Sequence, residues 1–151
     1  MKHRIRAAAI IIDEEKILLI KHVHPVTQFT WWVPPGGGVE LEDASIIDCV
    51  KREVFEETGL QVDVESDLRF IREFFDKTYD TLNIEIFFDA RVVGGNLSME
   101  HIAGNGVDED FIKDVKWCTI ADLQNVIVYP EILKDNFGRN AKNIYLGRQR
   151  G

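Results

Sequence analysis

The residues of this sequence whose types and spacing best suit metal binding are three glutamates, Glu53, Glu56 and Glu57. On a helix with about 100° per residue they fall within an arc of about 100°, so their carboxylates share one face. Like charges three and four residues apart repel each other, and the C-terminal end of a helix also disfavours anions. Converging carboxylates suit a hard divalent cation, Mg²⁺ or Mn²⁺, which would remove this repulsion.

The same helix face is apolar one and two turns before the glutamates. Ile46, Cys49 and Val50 lie on it, whereas Lys51 and Phe55 lie on the opposite side. The alternative interpretation is a solvated acidic helix end, which is common in Glu-rich helices. A solvated end would point away from the apolar stripe, so the pattern favours carboxylates that face a cleft.

A glycine-rich loop precedes this helix. Gly36, Gly37 and Gly38 follow two prolines, and a backbone without side chains can approach a ligand closely and donate N–H groups to it. Gly37 and Gly38 are therefore candidate contacts for a phosphate. A glycine loop alone is weak evidence for a phosphate-binding site. A glycine loop that is followed, one helix length later, by an acid cluster is strong evidence for one.

Residues 38–60 resemble the Nudix box, the signature of the Nudix hydrolase family. The run REVFEETGL, residues 52–60, matches the second half of the box at every defined position, and WVPPGGG, residues 32–38, resembles the segment that usually precedes it. The front half departs from the pattern, because the position of the expected glutamate holds Ala44. We interpret this as a one-residue insertion near residues 43–45, with Asp43 or Glu42 as the substitute acid.

The resemblance implies hydrolysis of a nucleoside diphosphate linked to another moiety, with water attacking phosphorus. It implies that Glu53, Glu56 and Glu57 are the Mg²⁺ ligands, and that Glu53 is slightly favoured to orient or deprotonate the water. Arg52 is expected to act structurally, by pairing with an acid in the loop 38–43. Members of the family often take a further metal ligand or base from a later loop. The candidates here are Glu100, Asp108, Glu109 and Asp110, of which Glu109 and Glu100 are slightly favoured.

Two further residues are candidate substrate contacts. Arg6 could touch a phosphate, although a solvated strand face is the more ordinary interpretation of its alternating pattern. Trp32 could stack on a base, although anchoring the glycine loop is the more ordinary role for its large apolar ring. His22 and His24 lie near the same loop, and we expect them at the surface.

The elements that must position these residues indicate an α/β fold. Strands before, between and after helices predict a Nudix-type α/β/α sandwich around a mixed β-sheet, in one domain over residues 1–151. The predicted strands are 4–12, 16–22, 31–33, 62–64, 68–75, 82–93 and 115–118, and the predicted helices are 43–58, 120–125 and 131–137.

Composition limits the other function classes. The formal net charge of −8 disfavours binding to a nucleic-acid polymer, whereas a small nucleotide diphosphate derivative remains a suitable partner if a cation bridges the like charges. No apolar run is long enough for a transmembrane helix, so no membrane partner is expected. Cys49 and Cys118 suit buried thiols of a cytoplasmic protein. A homodimer is the default by analogy with the family.

Two competing interpretations remain at this point. The first is a Nudix-fold module without catalysis, which senses a ligand or binds a partner; such modules usually lose acids that this chain keeps. The second is an unrelated α/β protein with a calcium-like surface site. No further motif selects among nucleoside triphosphates, dinucleoside polyphosphates, ADP-ribose and nucleotide sugars as substrates.

Overall fold

A mixed sheet and a few helices make up the computed structural model, which describes residues 1–102 and 111–149. Two short 3₁₀ helices, Glu131–Lys134 and Asn136–Gly138, follow the second α-helix. The other elements, in chain order, are β1 (Lys2–Asp13), β2 (Lys16–Val23), β3 (Thr30–Val33), β4 (Gly36–Gly38), α1 (Ile46–Thr58), β5 (Leu60–Asp76), β6 (Thr81–Gly95), β7 (Ile112–Cys118), α2 (Ile120–Leu123) and β8 (Tyr145–Gln149).

Strand β1 lies at the centre of the sheet. The strand order is β3-β2-β1-β6-β5-β8, while β4 pairs with β1 and β7 pairs with β2. Strand β1 runs parallel to β6 and antiparallel to β2 and β4, so the sheet is mixed, as predicted. The turn between β1 and β2 is tight, with Glu14 and Glu15 both at positive φ. The three-residue strand β4 brings the glycines directly alongside β1.

Alternate residues of β1 face two separate hydrophobic cores. Ala7 and Ile11 pack in the core that also holds Val50 and Val54 of α1. Ala8 and Ile10 face the other way, in the core that also holds residues of α2 and of the 3₁₀ helices. Both faces of the sheet are therefore covered, which confirms the predicted α/β/α sandwich. In the part of the chain that is described, no helix has the length and apolarity needed to cross a membrane.

Several predicted bounds differ from the structure. The strands predicted at 62–64 and 68–75 form one strand, β5, because its pairing with β6 continues through register shifts at Val64 and Leu68. The helices predicted at 120–125 and 131–137 are shorter, and the second is replaced by the two 3₁₀ helices. Strands β4 and β8 were not predicted. Glycines have little preference for strands, so only pairing with β1 makes β4 a strand.

Candidate active site

Helix α1 begins three residues later than the predicted residue 43. Ser45 is its N-cap, and the Ser45 side chain accepts a hydrogen bond from the backbone N–H of Asp48 at 3.1 Å. The helix ends at Gly59, which has a φ of 76° and whose backbone N–H donates to the carbonyl of Phe55. Both ends of the helix are therefore fixed by local interactions, and the last turn carries the three glutamates.

The glutamates occupy the predicted face of α1, although not at equal depth. Glu53 and Glu57 are 9% and 4% exposed, whereas the side chain of Glu56 is 33% exposed. Burial raises the pKa of Glu53 above its usual value, and this effect outweighs the neighbouring charge of Arg52. Two of the three acids therefore lie on a buried face, where their negative charge is costly. This excludes the alternative interpretation of a solvated acidic helix end.

Strand β4 lies directly against the two buried carboxylates. The backbone N–H of Gly36 donates a hydrogen bond to Glu57 Oε1 at 2.7 Å. A Cβ added to Gly37 would lie 2.5 Å from Glu53 Cδ. A Cβ added to Gly38 would lie 2.9 Å from Arg4 Nε. At Gly37, the absence of a side chain is what lets the backbone approach the Glu53 carboxylate.

Arg52 holds the glutamates and the preceding loop together. Its Nε donates to Asp43 Oδ1 at 2.8 Å and its Nη2 to Asp43 Oδ2 at 3.0 Å, a bidentate pair. Its Nη1 donates to Glu53 Oε1 at 2.9 Å and to Glu56 Oε2 at 3.4 Å. The expected pairing of Arg52 with a loop acid is found, and that acid is Asp43 rather than Glu42. Asp43 thus supplies the carboxylate that the box lacks at Ala44.

The donor set suits a divalent cation in type but not in its present arrangement. Three carboxylates on one face, two of them buried, are the ligands that Mg²⁺ prefers. Within residues 1–102 and 111–149, however, no three acidic, histidine or cysteine groups are arranged to enclose a metal ion. Glu53 and Glu56 turn towards Arg52, and one oxygen of Glu57 accepts the Gly36 N–H. Ligation through the oxygens that Arg52 engages would require the Glu53 and Glu56 side chains to turn away from Arg52.

A buried ion cluster next to the glycine strand was missed by the sequence analysis. Arg6 Nε donates to Glu85 Oε2 at 3.1 Å, and Arg72 Nε donates to Glu85 Oε1 at 2.8 Å. Burial alone would raise the pKa of Glu85, but the charges and hydrogen bonds of Arg72 and Arg6 outweigh it and hold that pKa below its usual value. Arg6 is the Cα partner of Gly38, so the cluster adjoins β4. Arg6 therefore lies in a buried ion pair, not on a solvated strand face.

The guanidinium of Arg72 is enclosed by rings. Its Cζ lies 4.5 Å from the centroid of Phe74 and 5.7 Å from that of Tyr129, and the residue is 3% exposed. Its Nη1 is buried and has no hydrogen-bond partner among the described residues. The cluster contains two arginines and one glutamate, so it places net positive charge beside the glycine strand in a strongly acidic protein.

The structure favours an apolar packing role for Trp32 over base stacking, and it corrects the surface position expected for His22. Trp32 is 9% exposed and packs in the core on the α2 side of the sheet, which leaves little of its ring for stacking on a base. Trp31, the neighbouring residue, is partly exposed and stacks on His22 at a centroid distance of 5.3 Å. His22 is 5% exposed, so it is not at the surface, and the Trp31 ring stacked on it covers part of its imidazole.

The candidates for a further ligand or base gain no support from position. The Glu100 side chain is 74% exposed and lies 3.4 Å from His101 Nε2. Among residues 1–102 and 111–149, the structure shows no contact between Glu100 and the glutamates of α1. Asp108, Glu109 and Asp110 lie outside the described residues.

Comparison with known proteins places this geometry in a family. The NUDIX domain model matches residues 2–136. A NUDIX hydrolase from Nitrosomonas europaea is 25% identical, with a TM-score of 0.62 over 81% of this chain and 76% of that one. A MutT protein from Methanosarcina mazei Go1 is 27% identical, with a TM-score of 0.63 over 91% of this chain and 92% of that one.

A third structure supports the fold alone. An ADP-ribose pyrophosphatase from Streptococcus suis 89-1591 is 21% identical, with a TM-score of 0.60 over 98% of both chains. No curated protein matches the sequence. Since the NUDIX domain model matches most of the chain, the protein belongs to the Nudix family and is a Nudix hydrolase.

Proposed function

We propose that this Nudix hydrolase cuts the diphosphate linkage of a nucleoside diphosphate derivative, with Mg²⁺ or Mn²⁺ held by Glu53, Glu56 and Glu57. The observation that carries the proposal is the burial of Glu53 and Glu57 directly beneath the glycine strand. Buried like charges are tolerated where a cation joins them. When bound there, the cation would neutralise the diphosphate and acidify the attacking water.

The chain's own residues divide the remaining work. Glu53 is the favoured residue for orienting or deprotonating the attacking water, because its carboxyl group fills the space where a Gly37 side chain would lie. Arg52 acts as a positioning residue, since its donors go to Asp43, Glu53 and Glu56 rather than into open space. Gly37 and Gly38 carry no side chains that would keep the diphosphate away from the backbone.

The Arg6–Glu85–Arg72 cluster supports the position proposed for the substrate. Each arginine donates its Nε to Glu85, which fixes the plane of both guanidinium groups and keeps their positive charge beside β4. Arg6 is one strand from Gly38, so we place the diphosphate between the glutamates and Arg6. Trp32 is not part of this proposal, because its ring lies in the core.

Turnover of a substrate panel tests the proposal. The panel contains nucleoside triphosphates, dinucleoside polyphosphates, ADP-ribose and nucleotide sugars, each with Mg²⁺ or Mn²⁺, and released phosphate is measured after phosphatase treatment. Glu57→Gln should lower turnover of the best substrate by orders of magnitude while the fold survives, and Glu65→Gln, an exposed acid on β5, is the matched control. Full activity of Glu57→Gln would overturn the ligand assignment. A folded protein that cleaves no diphosphate would indicate a ligand-sensing module instead.

A further inference from the structure

A pocket on the α2 side of the sheet has a lining unlike the rest of this acidic protein. Its volume is about 220 Å³, and it lies between the middle of β5 and the segment 138–144. Three cationic side chains line it, Arg69, Arg139 and Lys142, and no lining residue is acidic. The chain as a whole has 26 acidic and 18 basic residues, so this segregation of positive charge makes the pocket attractive to an anion.

The cations of this basic pocket are only weakly neutralised by their neighbours. Arg69 Nη1 lies 3.7 Å from Asp89, beyond hydrogen-bond distance, and Arg69 Nε is buried with no hydrogen-bond partner among the described residues. Arg139 pairs with Glu15, whose side chain is 78% exposed and contributes little. In the same described ranges, Lys142 makes no ion pair or hydrogen bond.

The remaining lining is apolar and exposed. Leu68 and Ile144 are 41% and 52% exposed, and both border the pocket. Phe70 closes it from below, because the ring packs against Gly138, where an added Cβ would lie 2.6 Å from Phe70 Cζ. The pocket therefore combines a cationic side with an apolar side, as a small amphiphilic anion requires.

We propose that the basic pocket is a second binding site, for a phosphomonoester with a small apolar or flat organic group. Its phosphate lies among Arg69, Arg139 and Lys142, and its organic group lies against Leu68 and Ile144. The site is separate from the glutamates of α1, which contribute no residue to its lining. It therefore binds its ligand whether or not the proposed hydrolysis takes place.

Nuclear magnetic resonance of the ¹⁵N-labelled full chain tests this proposal, with phenyl phosphate, inorganic phosphate and phenol as probes. Chelator is present, so that no divalent cation can recruit phosphate to α1. Phenyl phosphate should cause saturable shifts of amides in β5 and in the segment 138–144, with a Kd of about 1 mM. Inorganic phosphate should bind the same amides more weakly, because it lacks the apolar group, and phenol should not bind.

The double variant Arg69→Gln, Lys142→Gln should weaken phenyl phosphate binding about tenfold or more, since charged hydrogen bonds are lost. The control Arg91→Gln, Lys77→Gln changes the net charge equally at other surface positions and should leave the affinity unchanged. Equal weakening by both double variants would overturn the proposal, as would shifts confined to α1 and β4. Equal affinity for phosphate and phenyl phosphate would overturn the assignment of the apolar side.

Discussion

Asp43 and Arg52 form a bidentate ion pair that joins the loop before α1 to the middle of the helix, with both N–O distances at or below 3.0 Å. The pair lies on the same guanidinium that contacts Glu53 and Glu56. The loop, the helix and the candidate metal ligands thus share one cation. A change at Asp43 should therefore reach the site without touching a glutamate.

Asp43→Asn should destabilise the protein in a pH-dependent way. Hydrogen bonding to Arg52 lowers the pKa of Asp43 from 3.8 to about 2. Because the folded-state pKa is the lower one, this stability is present above about pH 4 and is lost as the pH falls towards 2. At pH 7 the variant should lose about 2 kcal/mol of unfolding free energy, measured by urea denaturation. The loss should shrink at pH 3, and Asp63→Asn, at an exposed pair with Arg91, is the control. A loss of equal size at both pH values would contradict the ion-pair account.

Gly37→Ala should reduce activity far more than stability. The added Cβ would meet the carboxyl end of Glu53, a flexible group that can move aside at little cost to the fold. The displaced carboxylate would then leave its position, so turnover should fall about a hundredfold or more. Gly94→Ala is the matched control, because its Cβ would meet only the end of the Gln61 side chain. Turnover within a few fold of the unaltered protein would show that Glu53 need not lie beneath Gly37.

Mg²⁺ should raise the melting temperature of the protein through the glutamates of α1. A ligand at a hundred times its Kd stabilises the folded state by about 2.7 kcal/mol, which corresponds to a rise of several degrees in a chain of this size. Glu53→Gln and Glu57→Gln should abolish most of that rise, whereas Glu65→Gln should keep it. Calorimetric scans with and without MgCl₂ provide the measurement. An undiminished rise in both Glu53→Gln and Glu57→Gln would place the cation elsewhere.

Glu85→Gln should destabilise the protein by about 3 kcal/mol, because it leaves two buried guanidinium groups without their carboxylate. Arg72→Met in the same chain should recover part of the loss, since it removes one of the two buried charges. Glu15→Gln, at the exposed pair with Arg139, should cost less than about 1 kcal/mol. Denaturant titrations of the single and double variants measure these losses of unfolding free energy. If the losses from the Glu85 and Arg72 substitutions simply added, the two residues would not be energetically coupled.

The helix and its acids were predictable because helical spacing is a local property. Glu53 and Glu57 follow the apolar face set by Cys49 and Val50, and the structure buries all four. The substitution of Asp43 for the missing box acid was also foreseen as one of two options. The sequence places both Glu42 and Asp43 within one loop length of Arg52, and only the geometry of that loop determines which of them pairs with it.

The Arg6–Glu85–Arg72 cluster was not predictable, because it depends on the register of three strands. Arg6 and Glu85 are 79 residues apart, and no local pattern says which residues of β1, β6 and β5 lie side by side. Trp32 and His22 show the same limit. Their burial is set by what packs on each face of β2 and β3, which a short apolar run does not reveal.

The pairing of β4 with β1 also bears on how the protein folds. Helix α1 has 13 residues, a length that is marginal for an isolated helix in water, and it carries two acids on its buried face. Its last turn becomes enclosed only when Gly36 and Gly37 dock on Ala7 and Ala8, strand residues nearly thirty positions earlier in the chain. Such distant contacts form after local ones, so the glutamates should remain hydrated until late in folding. The unfavourable free energy of burying them therefore arises only when β4 pairs with β1.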